Sequence, residues 1–129
     1  MRLLGNRWLR LLAALAWMGV IFFLSAQSRL PDLSPSISDA LQNVMGHFIA
    51  YAILAWLVLR ALEAFNVARP LIWTVAVVLL YALSDEIHQA FVPGRHPDPL
   101  DIATDLAGAL MALAVTRRLR LLRQRPHPR

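Results

Sequence analysis

Apolar residues dominate four stretches of the chain, over residues 8–26, 44–62, 70–89 and 100–116, and polar residues fall between them or at their ends. A helix rises about 1.5 Å per residue, so about 20 residues cross a hydrocarbon core of about 30 Å. The pattern predicts four transmembrane helices joined by short connections. The third and fourth stretches reach spanning length only if residues 84–89 and 101–105 are counted in. Their polar side chains are therefore expected inside the helices or at their mouths. The reading is one all-α domain over residues 1–129, a four-helix bundle with a basic tail over residues 117–129.

Composition strengthens this picture. The chain is 58% hydrophobic and 16% charged, against about 25% charged in an ordinary soluble domain. A soluble fold of 129 residues has too small an interior to hide so much apolar surface. There is no Cys, which excludes disulfides and thiolate metal sites. The first apolar stretch follows basic residues but lacks a small-x-small cleavage site around residues 24–26, so it is expected to remain as an anchor helix.

Charge adds orientation. All 13 basic residues are Arg, and the formal net charge is +5. A nucleic-acid site would gather such charge on one face. Here Arg2, Arg7 and Arg10 precede the first stretch, and Arg60 and Arg69 flank the second loop. Arg117, Arg118, Arg120, Arg123, Arg125 and Arg129 follow the fourth, leaving Arg29 and Arg95 in the remaining loops. That alternation is an orientation signal, with both termini and the middle loop cytoplasmic in an inner membrane. It excludes nucleic acid as a partner and names membrane lipids instead. Of the eight acidic residues only Glu63 falls on the cytoplasmic side.

The topology carries polar residues of all four helices to the outer leaflet. Ser25, Gln27 and Ser28 end the first helix, and His47 and Tyr51 open the second. Ser84, Asp85, Glu86, His88 and Gln89 end the third; Asp101 and Asp105 open the fourth. His47 with Tyr51, and Asp101 with Asp105, are four apart and share helix faces. Gly108 continues the second face and admits a close neighbour. Asp85, His88 and Gln89 are expected on one face of the third helix, with Glu86 turned about 100° away. Ionisable groups at membrane depth are costly and mark functional sites. Pro93-Gly94 predicts a tight turn in a stiff loop that folds Arg95 over the mouth of the bundle.

These residues also carry a resemblance. His47-Phe48 with Tyr51, then Tyr81 and the run from Ser84 through Asp85-Glu86-Ile87-His88-Gln89-Ala90-Phe91-Val92-Pro93-Gly94-Arg95, then Asp101, Asp105 and Gly108 resemble the VanZ-like family of bacterial membrane proteins. Ser25-Ala26-Gln27-Ser28 fits the same pattern. Many members carry Asn where this chain has Asp105. The resemblance implies a cell-envelope protein and a link to glycopeptide (teicoplanin) resistance, an antibiotic-resistance phenotype that names no reaction.

The expected site acts on a lipid-linked or amphiphilic envelope molecule. Glu86 and His88 are the acid/base candidates, with Asp85 and Asp101 as orienters or ligands. Arg95, whose planar fork suits phosphate, would hold an anionic group, while His47, Tyr51, Gln89 and Asp105 complete the binding set. No cofactor is expected. His47, His88, Asp85, Glu86, Asp101 and Asp105 include enough N and O ligands for a divalent metal, but no spaced pair of the H-E-x-x-H kind is present, and metal is the less favoured reading. Two alternatives stay open: a non-enzymatic binder of a lipid or lipoglycopeptide, and a small transporter, which four helices could form only as a homo-oligomer. Trp8, Trp17, Trp56 and Trp73 are expected as lipid-facing or interfacial anchors, and His96 and His127 as solvated.

Overall fold

The computed structural model of the protein describes residues 2–28 and 38–124, with side chains from residue 6 onward. The expectations for Arg29, Arg125, His127 and Arg129 lie outside the described residues. Four helices follow one another: α1 (Arg2–Ser25), α2 (Asp39–Ala64), α3 (Pro70–Gln89) and α4 (Pro99–Arg123). Each is long and apolar enough to cross a membrane. Among the described residues there is no strand.

Local chemistry sets where the helices begin. Ser38 caps α2 by accepting from the Leu41 N–H, and Asp39 in the first turn suits the positive end of the helix dipole. Pro70 and Pro99 open α3 and α4, where a missing N–H costs nothing. The Asp98 carboxylate caps α4 by accepting from the Leu100 N–H at 2.9 Å. Between α2 and α3 the chain reverses through Asn66 and Arg69, both with positive φ.

Three helices differ in extent from the sequence reading, the first because α1 starts at Arg2 rather than near residue 8. α2 starts at Asp39 rather than near residue 44, which brings Asn43 inside the helix. α4 runs to Arg123, so residues 117–123 are its last two turns and not a tail. Arg and Leu are good helix formers, and Arg120 forks across both oxygens of Glu63 on α2. That pair is partly exposed, so Glu63→Gln is expected to cost less than about 1 kcal/mol in detergent unfolding. A larger loss would mean that the pair holds the two helix ends together.

The side-chain pairings fix the directions. Trp8 and Trp17 of α1 meet Phe65 and Ala50 at α2, in reverse order, whereas Met18 and Ser25 of α1 meet Tyr81 and His88 of α3 in the same order, as His47 and Glu63 of α2 meet Asp105 and Arg120 of α4. α1 and α3 therefore run one way, and α2 and α4 the other. α2 packs against all three neighbours, most extensively against α4. A Cβ at Gly108 would be driven into the carbonyl of Phe48, so glycine is what lets these two backbones approach.

The core between them is apolar: Leu54, Ala55, Val58 and Leu59 of α2 meet Val78 and Ala82 of α3 and Ala109 and Leu113 of α4. Phe23, Ile72, Leu80, Ile87 and Met111 point outward. A soluble surface does not tolerate such a continuous apolar exterior; a bilayer does. Trp8, Trp56 and Trp73 are on this exterior. Trp17 departs from the anchor reading: its indole N–H donates to the Ala50 carbonyl at 2.9 Å, because a polar N–H between helices needs a partner.

Candidate functional site

One end of the bundle carries the arginines of α1, α2 and α4 together with Glu63; the other gathers the remaining ionisable residues of the helices. The second end is built from three helix faces. Asn43, His47 and Tyr51 succeed one another at four-residue intervals on α2, which stacks them on one stripe. Asp101 and Asp105 form the matching stripe on α4, one turn above Gly108. Asp85, Glu86 and Gln89 are buried at the end of α3.

His47 is the centre. Its Nδ1 lies 2.8 Å from Asp105 Oδ1 and its Nε2 3.5 Å from Asp101 Oδ2. Asn43 Nδ2 donates to both oxygens of Asp101, at 3.3 and 3.4 Å. The close carboxylate on Nδ1 fixes the ring, while Nε2 faces the more distant Asp101, the group nearest to exchange a proton with it. On α3, Gln89 Nε2 donates to Asp85 Oδ2 at 3.1 Å inside the protein. Glu86 Oε2 accepts the backbone N–H of Asp98 at 2.8 Å, tying the loop before α4 to the end of α3. Asp85, Glu86, Asp101 and His47 are close enough to interact through their charges.

Three polar atoms in this region are buried without a hydrogen-bond partner among the described residues: Tyr51 Oη, Glu86 Oε1 and Asp105 Oδ2. Tyr51 and Asp105 are each only 1% exposed and Glu86 6%. The Tyr51 ring lies parallel to that of His47, with centroids 6.4 Å apart, and its hydroxyl is within electrostatic reach of Asp85 and Asp105. Unpaired buried polar atoms are rare and each one costs stability. Three together are a feature of this end.

Two expected members stand apart. His88 does not share the face of Asp85 and Gln89. It stacks on Phe22 of α1, with centroids 4.2 Å apart, and its Nδ1 is 3.4 Å from Ser25 Oγ. Glu86 takes the buried place instead, because α3 meets α1 on one side and α2 and α4 on the other, and residues 85, 86 and 89 face the latter pair. Arg95 makes no ion pair among the described residues. Its Nε donates to the Gln27 carbonyl at 3.0 Å, and so the loop is latched to the end of α1. The turn beneath it closes by Arg95 N–H to Val92 O, with Gly94 at φ 80°, a conformation that glycine enters freely.

Asn43 and the Asp98 backbone were not singled out in the sequence. Asn43 was legible: it extends the 47/51 spacing by one turn, and the Ser38-Asp39 pair is a start signal placed ahead of it. The Asp98 N–H carries no sequence signal. Among the described residues, no group of three His, Cys, Asp or Glu side chains is arranged to hold a metal ion.

Comparison with known proteins gives one result of substance. The family model described as VanZ/LLP1 matches residues 10–122, which takes in nearly all of the four helices and every residue of the site. No curated protein and no solved structure matches the chain. With the match running through the whole helical region, the chain belongs to the VanZ/LLP1 family.

Proposed function

We propose that this protein sits in the bacterial inner membrane with both termini in the cytoplasm, and that its polar end acts on the head of an amphiphilic, lipid-linked cell-envelope molecule in the outer leaflet. The observation that carries this reading is the His47–Asp105–Asp101 cluster with Glu86 and Tyr51 beside it. Carboxylates and an imidazole are held from three helices at membrane depth, with acceptor atoms left over. Structural capping does not require so many costly groups. The arginine distribution supports the orientation.

His47, oriented by Asp105, takes over from His88 as the acid/base candidate, and Glu86 remains one. Asp101 and Asp85 orient their neighbours, while Tyr51, Asn43 and Gln89 supply hydrogen bonds. Arg95 braces the loop over the site, and its guanidinium nitrogens stand at the mouth for an anionic part of the molecule. Beneath the cluster, the core of Leu54, Val58, Leu59, Val78 and Leu113 is apolar. This supports a one-sided site over a transport path, which would need polar lining through the inner half.

In cells, Glu86→Gln and His47→Ala are expected to abolish any change the wild-type protein makes in glycopeptide sensitivity and in outer-leaflet lipid intermediates. Both variants should insert normally. If they insert and behave as wild type, the cluster is not the functional site. A reporter fused after His96 is expected on the periplasmic side; a cytoplasmic signal reverses the orientation.

A further inference from the structure

We propose that the polar end recognises a primary ammonium group, so that the amphiphile it takes carries an amine. The inference rests on reading this cluster as the functional site and specifies its ligand chemistry. The charges decide the sign. Asp85, Glu86, Asp101 and Asp105 place four carboxyl groups within a turn or two of each other on α3 and α4. His47 is the only imidazole among them and brings at most one positive charge. Among the described residues the other cations at this end are turned away from the carboxylates: His88 turns to Ser25 and Phe22 on α1, Arg95 donates to the Gln27 carbonyl, and His96 is exposed in the loop. The remaining partners, Asn43, Gln89 and the Asp98 N–H, are neutral.

The unpartnered atoms decide the type of group. Asp105 Oδ2, Glu86 Oε1 and Tyr51 Oη are buried, and all three can accept a hydrogen bond. They come one each from α4, α3 and α2. An ammonium is a compact cation with three N–H donors and no acceptor. Its donors match the orphan acceptors in number and its charge offsets the surplus of carboxylates. A phosphate in the same place would meet carboxylates already holding the available N–H groups, so an anionic part belongs at the mouth near Arg95. A trimethylated ammonium has the charge but no N–H to give.

The test uses the full chain in nanodiscs containing equal amounts of ethanolamine, choline and glycerol phospholipids with identical acyl chains. Lipids retained on the protein are counted by native mass spectrometry. The expected result is at least a fivefold enrichment of the ethanolamine lipid over both others. Glu86→Gln and Asp105→Asn, which change charge with little change of shape, should each bring that ratio close to one. Arg117→Gln at the opposite end of α4 should leave it unchanged. Free ethanolamine in the buffer separates the sources: displacement of the lipid means that the amine alone suffices, and failure to displace it means that the lipid is required, ammonium recognition standing in both cases.

Equal retention of the three lipids overturns the proposal, as does enrichment that survives both carboxylate substitutions. So does retention of a divalent cation in place of the amine when magnesium or zinc is supplied alone. If Glu86→Gln abolishes the cellular effect while no amine preference is seen, the amine assignment falls and the site reading stands. If an amine is retained through Glu86 and Asp105 but neither substitution has a cellular effect, the reverse holds.

Discussion

Gly108→Ala is expected to destabilise the protein by about 3 kcal/mol, at the upper end of the usual cost of overpacking. In an open helix interior the same exchange is stabilising, by up to about 1 kcal/mol, because alanine is the better helix former. The sign reverses here because the added Cβ would be driven into the Phe48 carbonyl, with the Phe48 carbonyl carbon only 2.9 Å away. That obstacle is backbone inside a helix and cannot rotate aside. α2 and α4 must separate, and that pair positions His47 against Asp101 and Asp105. Unfolding in mixed micelles measures the effect, and two glycines supply the control. A Cβ at Gly19 or Gly46 meets nothing within 4 Å, so Gly19→Ala and Gly46→Ala should be neutral or slightly stabilising. If Gly108→Ala behaves like them, the close approach of α2 and α4 is wrong, and the cluster geometry with it.

The sequence reveals the fold because the bilayer writes a simple rule into it. Every spanning backbone must satisfy its own hydrogen bonds, so four apolar stretches can only be four helices. Spacing also made much of the site readable. Residues four apart share a face, which placed His47 over Tyr51 and Asp101 over Asp105 before any coordinates were needed. What failed was the choice between near-equivalent faces on α3. Asp85, Glu86, His88 and Gln89 lie within little more than one turn, and a few tens of degrees of rotation decide which of them point inward. Periodicity carries no information about that rotation. It is set by what α3 packs against, and the stacking of His88 on Phe22 appears only once α1 is alongside. The bond from Arg95 Nε to the Gln27 carbonyl lies beyond the pattern in the same way, because it forms only where the end of α1 stands beside the loop.

Asp105→Ala is expected to lower stability by about 3 kcal/mol, and Asp105→Asn by about 1 kcal/mol. Asp105 is 1% exposed, and it is the direct partner of His47 at 2.8 Å. Alanine removes it and leaves a nearly buried imidazole with only the 3.5 Å contact to Asp101. Asparagine keeps an oxygen in place to accept from Nδ1–H, which fits a neutral imidazole. The two substitutions therefore separate the hydrogen bond from the charge. A cycle with His47→Ala makes the point independently of any single value. If the two side chains stabilise each other, the double Ala variant should be less damaged than the sum of the singles, by about 2 kcal/mol. Strict additivity would mean that the pair contributes nothing as a pair. An Asp105→Asn variant as unstable as Asp105→Ala would place the whole effect on charge. In that case His47 is held as an imidazolium, and the negative surplus available to a bound ammonium is smaller by one than the carboxylate count implies.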